Sequence, residues 1–413
     1  MKKVLILTVT AGNAHNACAL SMKRKLEESG EVEVQIIDLL QTYSTKLNAW
    51  VSDEGYAIAV SNLLAIYNAF YNGYTKLSPY DRYSCPSQST VLSFTDGLLK
   101  GILEFRPDVV YITHFYGSIA MTNLKLVYNL PCISIASALD YIISPFWESG
   151  IGVDYFAIPN EDFIDDCIYK GYRREQLLPV GFPVDGRTLD VTDKRKARKA
   201  LNLDENLFTV MVMFGGGMWS GGYRIFKQLI TALEGREAQI IMINGKNEVE
   251  FKKVEKTPLP SGIKVKNVGF TTDIPLYLSA TDVIINKCGG ASATETLNKS
   301  IPMLVTEKLA AQEMHNLVYL KDKGVALSFN NAKQLKKNIL TLMDNDALRK
   351  EMTAKTLPLK KDAIGELAKF ILKQPAADYS EILSENIDFS EVKEKVRQAV
   401  KLADKEEKLK KKI

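Results

Sequence analysis

The segment KCGGASATE, residues Lys287–Glu295, predicts a turn between a strand and a helix. The apolar run Asp282–Ile285 before it has the composition of a buried strand. Gly289-Gly290 allow a tight turn and a close approach of the backbone to a ligand. Ser292 is expected to cap a helix that opens at Ala293, whose free N–H groups would face an anion. A ligand at such a turn is typical of doubly wound α/β domains.

Polar residues that suit a nucleotide sugar follow this turn. Glu295 lies in the first turn of the predicted helix, where its carboxylate can accept two hydrogen bonds from a vicinal diol such as ribose. A second strand, Met303–Val305, leads to Gln312 and Asn316, which lie four residues apart on one helix face. Their amides suit sugar hydroxyls. The two segments predict a nucleotide-sugar pocket; the alternative is an ordinary Gly-Gly turn followed by a polar helix.

The same segments resemble the donor site of a family of GT-B glycosyltransferases. The family includes monogalactosyldiacylglycerol synthase, processive diacylglycerol glucosyltransferase and the N-acetylglucosaminyltransferase that forms lipid II. Its pattern is Lys/Pro-Gly-Gly-x-Ser/Thr-x-x-Glu, then a strand with a proline, then Gln-Glu-x-x-Asn. Here Cys288 replaces the usual proline, and Ala310-Ala311 replace a Pro-Gly pair. The resemblance implies that a UDP-sugar is bound by Gly289, Gly290, Ser292, Glu295, Gln312, Glu313 and Asn316.

Composition agrees with a globular protein of two domains. The chain has 413 residues, of which 46% are hydrophobic and 25% are charged, and domains usually span about 100–200 residues. No apolar run approaches the ~20 residues of a membrane-spanning helix. The apolar start Met1–Val9 is short and leads into a polar turn, which favours a buried strand over a signal peptide. Five cysteines without a C-x-x-C pair favour a reducing cytosol and neither disulfides nor a zinc site.

Short apolar runs alternate with helical patterns along the chain, which predicts α/β structure throughout. The predicted strands are Val4–Val9, Val32–Ile37, Val109–Thr113, Cys132–Ile135, Tyr155–Ile158, Leu178–Val180, Thr209–Phe214, Gln239–Ile243, Lys264–Val268, Val283–Asn286 and Met303–Val305. They predict two doubly wound, Rossmann-like domains, residues 1–184 and 185–372, and a helical, basic tail at 373–413. The GT-B fold implied by the resemblance has the two domains facing each other across a cleft, with the acceptor in the first and the UDP-sugar in the second.

The first strand-to-helix turn, Thr10–Asn16, is a second candidate site. It resembles the Gly-Asn-Gly-His or Gly-Gly-Gly-His turn of the family: Gly12, Asn13 and His15 match, and Ala14 departs. The resemblance implies that Gly12 and Asn13 bind substrate. A neutral His15 would take a proton from an acceptor hydroxyl or donate to the diphosphate of the UDP-sugar. The alternative is an exposed or capping histidine.

Two further strand ends match the family. Arg106–His114 follows its Pro-Asp-x-strand-Thr-His pattern, so His114 either binds substrate or has a structural role. Ala138-Leu139-Asp140, followed by Trp147, resembles Thr-Asp-x-x-x-His-x-x-Trp, with Leu139 in place of Thr and Ser144 in place of His. Asp140 is therefore a second candidate for the catalytic base, or it orients His15. The residues leave this choice open.

Two loops of the second half are also candidates for the donor site. The glycine-rich turn Phe214–Gly222 follows a strand and precedes a helix, so Gly216 is predicted to lie against phosphate; a flexible loop is the alternative. Gly269-Phe270 lies where the family frames the uracil, and Phe270 is predicted as its apolar wall.

Two segments are candidates for contact with a lipid. Six of the 18 tyrosines lie between Tyr56 and Tyr83, and this aromatic segment resembles the membrane-proximal helix of the diglyceride-glycosylating branch. Such amphipathic aromatics suit a bilayer interface, and the alternative is a place in the core. The tail from Asp388 has nine Lys/Arg and six Asp/Glu. It is either a surface for anionic lipid or a closing helix with a solvated polar face.

These residues together predict an inverting, metal-independent glycosyltransferase that moves a hexosyl group from a UDP-sugar to diacylglycerol or a glycolipid. No cofactor and no nucleic-acid partner are expected. The protein is expected in the cytoplasm, at the inner face of the cell membrane. Two alternatives stay open: a transferase acting on a polyprenyl-linked or soluble saccharide, and a UDP-sugar epimerase of the GT-B fold.

Overall fold

The computed structural model describes residues 1–11, 14–50, 55, 58–59, 63–77, 87–214 and 221–410. The chain divides into two compact units. The first contains Met1–Ile58, Ala65–Pro183 and Asp362–Ile413, and the second contains Ala59–Leu64 and Val184–Lys361. The change of unit at Pro183 lies beside the boundary predicted from the sequence.

The first unit is built on a parallel sheet of six strands in the order β2-β1-β3-β4-β5-β6. The strands are β1 (Lys2–Thr8), β2 (Val32–Asp38), β3 (Val109–Ile112), β4 (Ile133–Ser137), β5 (Tyr155–Ala157) and β6 (Leu177–Leu178). Val4–Leu7 in β1 are fully buried, as expected of a parallel strand that is covered on both faces. The strand order reverses between β1 and β3. The carboxyl ends of these two strands therefore flank the position where doubly wound sheets bind ligands.

The second unit has its own parallel sheet of six strands in the order β12-β11-β10-β7-β8-β9. The strands are β7 (Phe208–Met213), β8 (Ala238–Ile243), β9 (Ile263–Val268), β10 (Val283–Asn286), β11 (Met303–Thr306) and β12 (Ala326–Phe329). The order reverses between β7 and β10, which makes their carboxyl ends the ligand position of this sheet. β12 was not predicted, because it is a four-residue strand at the sheet edge and its apolar run is interrupted by Ser328.

Helices connect the strands and cover the sheets. Before the change of unit they are α1 (Ala14–Glu27), α2 (Leu39–Tyr43), α3 (Lys46–Trp50), α4 (Leu64–Leu77), α5 (Ser87–Leu92), α6 (Thr95–Phe105), α7 (Phe115–Tyr128) and α8 (Ile164–Tyr169). After it they are α9 (Lys194–Ala200), α10 (Gly222–Ala232), α11 (Glu248–Glu255), α12 (Ile274–Ser279), α13 (Gly290–Asn298), α14 (Ala311–Asp322), α15 (Ala332–Asp344), α16 (Asp346–Thr356), α17 (Ala363–Lys373), α18 (Ser380–Ser384) and α19 (Val392–Lys410). None of the helices in the described ranges has the length and apolar character of a membrane span.

The C-terminal helices pack against the first unit. α17 lies against α1, and α19 lies against α6 and α7. Val392, Val396 and Val400 on α19 are buried, which agrees with a closing helix over this part of its length. The sequence assigned residues up to 372 to the second domain and the rest to a separate tail. The structure instead returns the chain to the first unit at Asp362, because the apolar sides of α17 and α19 are buried there.

Asp108 joins this returning segment to the first sheet. Its Oδ2 accepts from the Lys3 N–H at 2.8 Å, and its Oδ1 accepts from the Ala377 N–H at 2.9 Å. The Tyr379 hydroxyl donates to the Pro107 carbonyl at 2.9 Å. The Pro-Asp pair that precedes β3 thus has a structural role in this chain.

Candidate functional site

The ligand position of the first sheet contains two histidines. His15 lies in the first turn of α1, after β1, and His114 is the N-cap of α7, after β3. Their ring centroids are 4.7 Å apart. The Nδ1 atom of His15 lies 2.5 Å from the Thr113 carbonyl oxygen. Because a carbonyl oxygen can only accept, Nδ1 carries the proton and Nε2 keeps its lone pair.

Both histidines are neutral at pH 7. Burial lowers the pKa of His15 to about 4, although the hydrogen bond to Thr113 partly opposes it. Burial also holds the pKa of His114 well below its usual value, and the neighbouring His15 adds to this effect. His114 Nδ1 accepts from the Tyr116 N–H at 3.2 Å, so its proton is on Nε2. His15 therefore has a lone pair available for a proton, and His114 has an N–H available as a donor.

A chain of polar contacts, which sequence reasoning missed, positions the turn before His15. Thr10 donates through its N–H and its hydroxyl to Asp38 Oδ2, at 2.8 and 2.6 Å. Asn16 donates to the Thr10 hydroxyl at 2.8 Å and accepts from the Thr8 hydroxyl at 2.9 Å. Asp38 also caps α2. The carboxyl ends of β1 and β2 thus form one hydrogen-bonded unit beneath α1.

Asp140 follows β4, the neighbour of β3 in the sheet. It is partly exposed and lies at the same edge as the two histidines, because the strands are parallel. Ser144, at the position where the family has a histidine, caps a short 3-10 helix at Pro145–Gly150. Its Oγ accepts from the Tyr71 hydroxyl at 3.4 Å. This contact ties α4 to the edge of the sheet that contains His15.

The turn after β10 differs from its prediction in one respect. Cys288 has the left-handed φ of 44°, whereas Gly289 has a φ of −56°. The Cys288 N–H donates to Asn286 Oδ1 at 3.1 Å, and its thiol donates to the Glu313 carbonyl at 3.3 Å. The unusual backbone conformation is therefore at the cysteine. A proline here would need a different backbone, since its ring fixes φ near −65°.

Helix α13 begins at Gly290, and Gly289 is its N-cap without a side-chain bond. The prediction that Ser292 caps a helix opening at Ala293 was wrong. Ser292 is the third helical residue, and its hydroxyl donates back to the Gly289 carbonyl at 3.0 Å. The first N–H groups of the helix are therefore left without a side-chain acceptor from the cap, as an anion site requires.

Glu295 lies in the second turn of α13. It is partly exposed, and within the part of the chain that the structure describes its carboxylate has no hydrogen bond or ion pair. Burial, and then the charge of Asp185, raise the pKa of Glu295 to about 7. A half-buried carboxylate without a partner costs stability. Hydroxyl donors from a ligand would remove this cost.

The Gln-Glu-x-x-Asn motif on α14, residues 312–316, mainly holds the turn after β10 in place. Asn316 is fully buried, and its Nδ2 donates to the Cys288 carbonyl at 3.1 Å. Glu313 Oε1 lies 2.7 Å from the Lys287 ammonium, and Oε2 accepts from the Ala310 N–H at 3.4 Å. Asn316 was predicted to bind sugar hydroxyls and Glu313 to bind the UDP-sugar, and both have partners within the protein. Gln312 is partly exposed.

Phe270 follows β9 and is 59% exposed. The Lys246 ammonium, from the turn after β8, lies 5.7 Å from the centroid of its ring. Sequence reasoning did not select Lys246. The strands β8, β9 and β10 are parallel, so Lys246, Phe270 and the turn at Cys288 all follow carboxyl ends at one edge of this sheet. Gly12, Asn13 and Gly216 lie outside the described residues.

Among the residues that the structure describes, no group of three His, Cys, Asp or Glu side chains could hold a metal ion. The sequence has one Asp-x-Asp triplet, Asp344-Asn345-Asp346. Its carboxylates are paired with Arg236 and with Arg349.

Two family models match the chain. The model of monogalactosyldiacylglycerol (MGDG) synthase matches residues 15–184, and the model of the glycosyltransferase family 28 C-terminal domain matches residues 211–368. The processive diacylglycerol beta-glucosyltransferase of Staphylococcus saprophyticus is 24% identical over 331 residues, covering 78% of this chain and 80% of that protein. The enzyme of the same name from Staphylococcus epidermidis is 22% identical over 365 residues, covering 87% and 89%. Together the two models cover most of the chain, and both describe glycosyltransferases.

Solved structures show the same fold at low identity. Acinetobacter baumannii MurG has a TM-score of 0.58 at 13% identity, covering 90% of this chain and 100% of that chain. The kitacinnamycin glycosyltransferase has a TM-score of 0.59 at 14% identity, covering 90% and 99%. The UDP-GlcNAc 2-epimerase of Methanocaldococcus jannaschii has a TM-score of 0.51 at 14% identity, covering 91% and 100%. The predicted GT-B fold is confirmed, and at these identities the likeness shows the fold alone.

The protein is a hexosyltransferase, as the sequence predicted, because both family models describe glycosyltransferases and the relatives are named glucosyltransferases. Both family matches include positions selected from the sequence: the first covers His15, His114 and Asp140, and the second covers Glu295 and Gln312. The role of each of these side chains in binding or catalysis stays a prediction.

Proposed function

We propose that the protein transfers a hexosyl group from a UDP-sugar to a hydroxyl of diacylglycerol or a glycolipid, with inversion at the anomeric carbon. His15 is the observation that carries this proposal: a neutral imidazole whose Nε2 lone pair lies at the ligand position of the first sheet. The names of the staphylococcal relatives support the lipid acceptor.

The reaction is a single displacement. Nε2 of His15 takes the proton of the acceptor hydroxyl while that oxygen attacks the anomeric carbon. The bond from this carbon to the diphosphate oxygen breaks, and UDP leaves with the electron pair. Attack opposite the leaving group inverts the anomeric centre. Asp140 is the alternative base, or it orients His15. The reaction needs no metal or cofactor, since helix N-termini stabilise the diphosphate charge.

The donor is proposed to bind at the carboxyl edge of the second sheet. The Glu295 carboxylate, which has no hydrogen bond or ion pair among the described residues, would accept both ribose hydroxyls, and the exposed Phe270 ring would lie against uracil. The diphosphate would face the N-terminus of α13, after Gly289. Gln312 would contact the hexose, while Glu313 and Asn316 hold the turn in place.

We propose that α3 and α4 contact the membrane. Leu47 and Trp50 on α3 are 68% and 47% exposed, and Ile66 and Phe70 on α4 are 66% and 63% exposed. Large apolar side chains that gather on a surface mark an interaction site. Because Tyr71 joins α4 to Ser144, the exposed side of α4 is connected to the sheet edge that contains His15. The protein would then work at the cytoplasmic face of the membrane.

Turnover of UDP-glucose, UDP-galactose and UDP-N-acetylglucosamine on diacylglycerol vesicles tests the proposal. We expect one of them to give a glycolipid and UDP, with His15→Ala as the inactive control. If a UDP-sugar is converted to another UDP-sugar without vesicles, the protein is an epimerase. Transfer to a water-soluble or polyprenyl-linked saccharide, and not to diacylglycerol, would exclude the proposed acceptor.

A further inference from the structure

A groove on the second unit is separate from the carboxyl edge of its sheet. It has a volume of about 490 Å³ and lies between α10 and α15. Its lining residues are Lys227, Gln228, Thr231, Ala232, Ala332, Lys333 and Lys336. The two helices hold each other through buried residues on their inner sides, such as Phe226 and Ile339. The groove is therefore a fixed feature of the surface.

The three charged residues that line this groove, Lys227, Lys333 and Lys336, are all positive. The two helices contain Arg224, Lys227, Lys333, Lys336 and Lys337. Their only acid is Asp344 at the far end of α15, which is paired with Arg236. All five cations are exposed, and none of them has an ion pair among the residues that the structure describes. Five cations without acidic partners repel one another, and an anion bound in the groove would remove this repulsion.

The uncharged part of the lining indicates which anion fits. It consists of Gln228, Thr231 and two alanines. Among the residues that the structure describes, no aromatic ring lines the groove, so these residues offer no surface on which the base of a nucleotide would stack. No large apolar side chain lines it either, whereas a protein partner usually needs such anchors. Ammonium groups around a lining of small and uncharged polar side chains suit phosphate groups that are presented by a surface.

We propose that this groove, between α10 and α15, binds the phosphate groups of anionic phospholipids and holds the second unit at a membrane. The inference rests on the proposed function only in that a lipid acceptor brings the enzyme to a bilayer. Lysines near an anionic membrane each strengthen partitioning about fivefold, an effect that falls with added salt. Three lysines would together contribute about a hundredfold.

Vesicle sedimentation of a triple variant tests this proposal. In Lys227→Gln/Lys333→Gln/Lys336→Gln, partitioning onto vesicles of phosphatidylcholine and phosphatidylglycerol should fall by about tenfold or more. Binding to pure phosphatidylcholine vesicles should not change. The matched control is Lys252→Gln/Lys256→Gln/Lys321→Gln, which removes three exposed lysines elsewhere on the same unit. The control should keep most of its partitioning.

Three results would overturn the inference. The first is that the groove variant partitions onto the anionic vesicles as strongly as wild type does. The second is that the control variant loses as much partitioning as the groove variant. The third is release of the wild type by inorganic phosphate at constant ionic strength, which would identify a site for soluble phosphate. Turnover of diacylglycerol in neutral detergent micelles separates this inference from the proposed function. The groove variant should keep its turnover in micelles. If the wild type shows no turnover in micelles but still partitions onto vesicles through the groove, only the proposed function fails.

Discussion

Replacing Glu295 by glutamine should weaken the binding of UDP by ~1–3 kcal/mol, the range for losing hydrogen bonds to a charged group. The wild-type carboxylate has no partner in the described protein, so both of its oxygens are open to the ribose hydroxyls. The amide keeps the shape but offers only one oxygen and no charge. Calorimetry with UDP measures the change. Glu255→Gln, an exposed residue on α11, is the matched control.

The pH dependence makes the Glu295 prediction sharper. Burial and Asp185 raise the pKa of Glu295 to about 7, so half of the free protein has a protonated carboxyl at that pH. Because two ribose hydroxyls donate best to the ionised form, wild-type affinity for UDP should fall as pH drops from about 8 to 6, by up to about tenfold per pH unit below the pKa. Glu295→Gln should remove this dependence.

The stability of the wild-type protein should change with pH in the direction opposite to its UDP affinity. A carboxyl whose folded pKa is raised contributes stability that is fully present below its unfolded pKa, about 4.3, and is lost as pH rises through about 7. The loss is about 1–3 kcal/mol after allowance for partial exposure. Glu295→Gln should therefore be more stable than wild type at pH 8 and equally stable near pH 4, as measured by urea unfolding. Unchanged UDP affinity, with the same pH dependence in variant and wild type, would refute the ribose assignment.

Three other substitutions have definite expected outcomes. His15→Ala should lower kcat at least ~100-fold with UDP affinity unchanged. In wild type at saturating UDP-sugar, kcat should fall only as pH drops towards 4, because the lowered pKa of His15 keeps the imidazole neutral above that pH. A loss of activity with a midpoint near 6.5 would contradict this. Asn316→Ala should cost ~1–3 kcal/mol in urea unfolding, because it removes the buried hydrogen bond from the amide to the Cys288 carbonyl; an unchanged midpoint would contradict this structural role. Ile66→Ser/Phe70→Ser should lower partitioning onto neutral vesicles at least about tenfold, because it removes apolar area that the membrane would bury. The control Val249→Ser on α11 should not lower partitioning, and equal effects of the two variants would exclude α4 as the membrane contact.

The strands could be predicted because parallel strands buried on both faces produce continuous apolar runs. Val4–Leu7 and Val283–Ile285 are such runs, and all of these residues are buried. Glycines and polar residues that follow the runs then identify the carboxyl edge of each sheet, so His15 and Glu295 could be selected. β12 escaped this reasoning, since a four-residue edge strand with a serine produces no clear run.

The contacts that shape the site could not be predicted, because they join distant parts of the chain. Cys288 and Asn316 are 28 positions apart, and Thr10 and Asp38 are also 28 positions apart. The local sequence pattern placed Asn316 on one face of a helix. It could not show which neighbouring segment that face contacts. The same limit explains the wrong prediction for Ser292. A serine is a common N-cap residue, but the helix begins at Gly290, two residues before Ser292.

The configuration of the glycolipid product tests the central claim most directly. The protein, UDP-glucose or UDP-galactose and diacylglycerol vesicles would be incubated together, and the anomeric proton of the extracted lipid would be measured by NMR. Because the hexose of these donors is α-linked to UDP, the account predicts a β-hexosyl lipid, formed in equal amount with UDP and absent with His15→Ala. An α-hexosyl lipid, or UDP release without a glycosylated lipid, would contradict it.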